Sequence, residues 1–140
     1  MKKKPMVLTR QSFADACDGE RIYNLKAYDK VVYAALLREA LQGDYSDVKP
    51  IKFGCWHFAR TKPFSLDFVN GWGQRYEITL GRLADVEALA HWVDHLHSKI
   101  WFNCREVWDW NRRQPTMAPD REAPLNFFRA VVALTQRGLL

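Results

Sequence analysis

"IKFGCWHFARTKPFSLDFVNGWGQRYEITL", residues 51–80, holds three runs in which side-chain character alternates with a period of two. Ile51, Phe53, Cys55, His57 and Ala59 alternate with Lys52, Gly54, Trp56, Phe58 and Arg60. In 64–69 Phe64, Leu66 and Phe68 fall on one side, and in 75–80 Tyr76, Ile78 and Leu80 do the same. Successive side chains of a strand point to opposite faces, so this spacing predicts strands. "NGWG" at 70–73 supplies glycines for a tight reversal between the second and third. The stretch reads as a three-stranded antiparallel sheet.

On either side of it the apolar period changes to threes and fours, the spacing of helices. Thr9 is a candidate N-cap for a short helix that Gly19 would end. Asn24 is the candidate cap of a second helix, with Leu25, Tyr28, Val31, Val32, Ala35 and Leu36 on one face, Leu37 and Leu41 opposite, and Gly43 as its stop. After the sheet, Leu83, Val86, Leu89, Ala90, Val93, Leu96 and Ile100 predict a helix over 82–100. Asn103 and Glu106 are spaced like a capping box, so a further helix is expected to Arg113, with "QPTMAPDREAP" as a loop. Pro124 suits the first turn of a last helix, carrying Leu125, Phe127, Phe128, Val131, Val132 and Leu134 and ending near Gly138. The expected fold class is therefore α+β, a small three-stranded sheet packed against four to five helices in the order ααβββααα.

The chain of 140 residues is the length of one ordinary domain, and no repeat or Gly/Ser linker divides it. We expect a single globular domain over 1–140, with 1–8 a flexible basic tail. No apolar run approaches the ~20 residues of a membrane span, and "MKKKPMVL" is followed by Thr9, Arg10 and Gln11 rather than an apolar secretory segment. These features predict a cytoplasmic protein with no membrane partner. Cys17, Cys55 and Cys104 form no CxxC pair, which points to reduced, mostly buried thiols.

Three clusters are candidates for function. The first is "WFNCREVWDWNRRQP" (101–115), in which Trp101, Trp108, Trp110, Arg112 and Arg113 place aromatic rings beside guanidinium groups, the residue types that dominate protein interface hot spots. On a helix these rings cannot all face inward, so part of the cluster is expected on the surface. The plainer reading is that large rings cap a small core.

The second is "VKPIKFGCWHFARTK" (48–62), which carries Lys49, Lys52, Arg60 and Lys62 and no acidic residue, within a chain of net charge only +5. On a straight strand Lys52, Trp56, Phe58 and Arg60 share a face, an arrangement that can stack bases and hold phosphates. The competing and preferred expectation is that Trp56 and Phe58 face the helix layer instead. The third is His91 and His95, one helical turn apart with Glu87 one turn earlier, the spacing that offers two imidazoles to one metal. It lacks the HExxH pattern and a third ligand, and the apolar stripe turns both histidines toward solvent. His97 reads as a boundary residue. Cys55 and His57, two apart on one strand, read as packed neighbours.

No phosphate loop, GxSxG elbow or other catalytic constellation is present, and the sequence calls for no cofactor. The expected function is a non-enzymatic, inhibitory or accessory protein that occupies a surface of a protein or protein–nucleic-acid partner, in the manner of a phage inhibitor of a host defence complex such as an anti-CRISPR. The alternatives are nucleic-acid binding through the basic aromatic strand and, behind it, a metal-dependent enzyme using His91 and His95. The two-sided apolar pattern on the second and last helices also fits a homodimer.

Overall fold

The computed structural model describes residues 8–18, 25–60 and 63–140, with the side chains of 16–18 left out of that description. Residues 1–7, Gly19, Asn24, Lys62 and the Cys17 side chain therefore lie outside the described residues. The elements are α1 (Arg10–Asp18), α2 (Lys30–Leu41), β1 (Lys52–Phe53), β2 (Trp56–Ala59), β3 (Ser65–Val69), β4 (Arg75–Thr79), α3 (Val86–Ser98), β5 (Arg105–Asp109), β6 (Gln114–Ala118) and α4 (Glu122–Gln136), with a 3₁₀ turn at Leu80–Leu83. The α+β class holds. The sheet has four strands rather than three, in the order β1-β2-β3-β4, and a separate two-stranded ribbon pairs β5 with β6.

The extra strand arises at Gly54. Its φ of 57° is left-handed, a region open to glycine at little cost, and there the chain turns back so that Phe53 pairs with Trp56 and Lys52 with His57. A side chain at Gly54 would also collide with Asn126 on α4. Partners directly opposite share a face. Lys52 therefore joins His57 on the outer face, and the expectation that it shares a side with Trp56 and Phe58 is wrong.

The inner face of the sheet is a stack of matched pairs. Trp56 opposes Phe68, which opposes Tyr76, while Phe58 opposes Leu66, which opposes Ile78. Trp56, Leu66, Phe68 and Ile78 are fully buried, and Trp56 packs directly on α4. Trp56 donates its indole N–H to the Ala123 carbonyl at 3.0 Å. Helix α4 lies between this sheet and α2, so its wide apolar band is covered within the chain. It ends as expected, with Gly138 left-handed and Leu139 donating to the Leu134 carbonyl at 2.9 Å.

Helix α2 starts five residues later than the Asn24 cap implies. Asp29 is the cap, its Oδ1 accepting the amides of Val31 at 2.8 Å and Val32 at 3.0 Å. Its buried face is Tyr33, Ala34, Leu36, Leu37 and Ala40, so Val31 and Val32 are exposed and Leu37 is in the core. What precedes the helix is a loop held by Asp94 of α3, whose Oδ1 accepts the amides of Lys26, Ala27 and Tyr28 at 2.9, 2.6 and 2.9 Å. Burial pushes the Asp94 carboxyl up, but these three amides and the neighbouring His97 outweigh it and hold the group below the usual aspartate range.

Helix α3 buries Val86, Leu89, Ala90, Trp92, Val93 and Leu96. Ile100 leaves this stripe. It adopts φ 55° just past the helix end, where Trp101 donates to the Leu96 carbonyl at 2.9 Å, and its side chain is exposed. Leu8, placed in the basic tail by its neighbours' charge, is buried in the core beside Phe13 and Leu25.

Candidate functional site

The segment expected to be a helix over 103–113 is half of a β-hairpin, and the expected loop after it supplies the other half. Arg105 pairs with Ala118, Val107 with Thr116, and Trp108 with Pro115. The capping-box spacing misleads because the Asn103 amide donates to the Ile100 carbonyl, closing the α3 turn, and starts no new helix. Asp109 supplies the signal for reversal: its Oδ1 accepts the amides of Asn111 at 3.0 Å and Arg112 at 3.2 Å. Arg113 completes the turn in the left-handed region with φ 50°. Pro115 is tolerated because the ribbon has only two strands and β6 has a free edge.

This geometry decides where the aromatic rings go. Glu106, Trp108, Pro115 and Met117 share one face of the ribbon. Met117 anchors that face to the body, resting so close to Gly71 that an added Cβ there would stand 2.9 Å from the methionine methyl. Beyond this anchor the two strands pack chiefly on each other. Trp108 is 49% exposed and Trp110 at the tip is 82% exposed, and their rings meet edge to face with 6.1 Å between centroids. Arg112 and Arg113 flank them in solvent. The Arg112 Nε lies 3.8 Å from the Asp109 carboxylate, a surface pair that adds little stability.

Four of the five residues nominated for partner contact therefore meet at the hairpin tip. The fifth does not: Trp101 is half-buried, with its ring edge-on to Phe68 at 5.9 Å and to Tyr76 at 5.0 Å. It forms one wall of a cleft of about 440 Å³ shared with Trp72, Ile100, Thr116 and Met117. Trp72 and Ile100, both largely exposed, belong to this apolar surface and escaped the sequence reading. The available signal for Trp72 was its place inside a glycine-flanked reversal, since turn tips stand at the surface.

The other two clusters come apart. Trp56 is fully buried, its ring stacked on Phe127 with 4.6 Å between centroids, so no base can reach it. The preferred expectation that it faces the helices holds, and the stacking surface proposed for nucleic acid loses its central ring. Phe58 is half-buried on the same side, with the Arg60 guanidinium 5.8 Å from its ring centre. Lys49 lies near Arg60.

His91 and His95 stack at 6.2 Å. His91 is exposed, whereas His95 is half-buried with its Nε2 3.4 Å from the Tyr76 hydroxyl. Glu87 is half-buried one turn away. Among the described residues, no three His, Cys, Asp or Glu side chains converge as a metal set would. His97 is exposed and edges onto Tyr28 at 5.2 Å.

Cys55 sits in the β1–β2 turn rather than on a strand, so it does not share a strand face with His57. It lies against Cys104, and both thiols are free. Burial, then Cys55 and Asp120, push the Cys104 thiol well up, which favours the protonated form.

One polar cluster remains, on the outer face of the sheet. Asp67 is buried there, accepting from the Ser65 hydroxyl at 2.6 Å and pairing with Arg75 at 3.0 Å, with His57 Nε2 at 3.8 Å. The Ser65 hydroxyl donates to the carboxylate. The cluster closes a buried charge in the manner such a group requires. No helix among the described residues is long and apolar enough to cross a membrane. Comparison with known proteins finds no matching family model, no matching curated protein and no matching solved structure.

Proposed function

We propose that this chain is a non-enzymatic binding protein that grips a macromolecular partner with the β5–β6 hairpin. The observation that carries the reading is the exposure of Trp110 and Trp108 on an arm whose turn is fixed by Asp109 and flanked by two arginines. A tryptophan pair this exposed adds little to the core, whereas Trp and Arg are the side chains that contribute most when a partner excludes water from them. The arm is held in shape before contact, which lowers the entropic cost of docking. Trp72 and Ile100 beside the hairpin base extend the apolar surface, and the arginines favour a partner face with acidic groups around an apolar pocket.

Occlusion of a partner's surface in this way suits an inhibitory or accessory factor, such as a phage product directed at a host defence complex. The partner itself decides that point. The test is capture of partners from lysate by the wild-type chain and by Trp110→Ala with Arg113→Ala, each with and without nuclease and at two salt concentrations. A defined protein retained by the wild type through nuclease and salt, and lost by a variant that still folds, supports the reading. Equal retention by both chains, or recovery of nucleic acid alone, overturns it.

A further inference from the structure

A second site lies on the far end of α4 from its N-terminus, where the chain after α2 and the end of β2 meet the last helical turn. A cleft of about 540 Å³ opens there, lined by Lys49, Pro50, Ile51, Phe58, Arg60 and Arg137. Its lining holds three cations and no carboxylate. Pro50, the buried Ile51 and the half-buried Phe58 give it an apolar floor. Arg137 is fixed in place by donating from Nη1 to the Val48 carbonyl at 2.7 Å, a contact that orients the guanidinium without neutralising it. Arg60 is steadied over the Phe58 ring, which Phe64 braces edge-on at 5.6 Å. Among the described residues, none of the three cations is joined to a carboxylate in an ion pair.

Like charges brought together raise the energy of the folded state, and an anion placed among them relieves it. A phosphate monoester carries about −1.5 to −2 at neutral pH, against −1 for a carboxylate, so it matches a cleft lined by three cations better. Guanidinium groups offer paired N–H donors that suit phosphate oxygens. The volume falls within the roughly 300–1,000 Å³ of small-molecule sites, enough for a mononucleotide and not for a duplex. The apolar floor supplies a surface for a planar or apolar body attached to that phosphate.

We propose that this cleft binds a phosphate-bearing small molecule of mononucleotide size, with Lys49, Arg60 and Arg137 around the phosphate and Phe58 beneath the body. The site is separate from the hairpin, and its ligand can be bound whether or not the hairpin reading holds. It uses Lys49, Phe58 and Arg60 from the basic strand segment and adds Arg137, which is distant in sequence and comes near only because α4 ends there.

The test is a titration of the ¹⁵N-labelled chain with adenosine 5′-monophosphate, inorganic phosphate and adenosine, following amide shifts. The expected result is saturable shifts confined to Lys49, Ile51, Phe58, Arg60 and Arg137 with the monophosphate, the same amides moving more weakly with phosphate, and no saturation with adenosine. Lys49→Gln and Arg60→Gln, both at exposed positions that leave the core intact, should each weaken binding about tenfold, the scale of one hydrogen bond to a charged group. Absence of saturable shifts at these amides, or equal binding by the Lys49→Gln, Arg60→Gln double variant, overturns the site. A 5′-phosphorylated single-stranded oligonucleotide that binds far more tightly, shifts amides well beyond the cleft and is released by salt would overturn the small-ligand assignment in favour of nucleic acid.

Discussion

The indole of Trp56 lies almost parallel to the ring of Phe127, 17° between planes and 4.6 Å between centres, while its N–H reaches back to the Ala123 carbonyl. One side chain thus joins the sheet to α4 by both an apolar and a polar contact. Trp56→Ala should cost about 3–5 kcal/mol, the range for removing a large buried aromatic side chain, and Trp56→Phe distinctly less because a ring remains to face Phe127. Urea unfolding of the three chains measures the difference.

Asp94 makes stability depend on acid in a direction fixed by its environment. Its carboxyl is held below the ordinary value near 4, so the folded state favours the ionised form more than the unfolded chain does. That contribution is complete above the unfolded value and disappears as pH falls through the lowered folded one. Asp94→Asn keeps an oxygen for the three amides but cannot titrate. The stability gap between wild type and this variant should close as pH falls below the unfolded aspartate value and through the lowered folded one, as followed by thermal unfolding across pH.

At the hairpin the effects of substitution should separate. Trp110→Ala removes a solvated side chain and should change stability by less than about 0.5 kcal/mol. Asp109→Ala removes the acceptor that fixes the turn, so hydrogen exchange at the Asn111 and Arg112 amides should speed up while the core amides of α4 keep their protection. Simultaneous loss of protection in α4 would show that the ribbon and the core unfold together.

Gly54→Ala should destabilise the chain by at least about 1–2 kcal/mol, the penalty for a side chain in the left-handed region, with the collision against Asn126 adding to it. Shortening that neighbour in Gly54→Ala with Asn126→Ala should recover only the steric share. The double variant's unfolding midpoint is the measurement.

The contrast between β3 and β5 explains what the sequence could reveal. Leu66 and Phe68 alternate with Ser65 and Asp67 on a strand that has one face on the core, so burial writes its period into the residues. The β5–β6 ribbon has no such covered face. Val107 and Trp108 carry strand preference, but Arg105, Glu106 and Trp108 all meet water, and a helix-like capping pattern was easier to see than an Asp-initiated turn. The Gly54 reversal is hidden for another reason. A two-residue turn between Phe53 and Trp56 leaves the local alternation almost undisturbed while exchanging the faces on either side of it. The candidate interface was legible as composition, through Trp108, Trp110, Arg112 and Arg113, even though its secondary structure was not. The cleft at Arg137 was illegible because its cations are far apart along the chain.

A ribbon that leans on the body through Met117 and otherwise chiefly on itself leaves the exposed side chains of residues 108–113 with little of the core to support. Most proteins that change a recognition surface must also protect a core beneath it. Here new side chains can be exchanged at the tip at little thermodynamic penalty, provided Asp109 still closes the turn, so if the hairpin is the binding arm proposed above, its specificity can drift, sharpen or be re-aimed by selection or by a library while the rest of the sequence stays as it is.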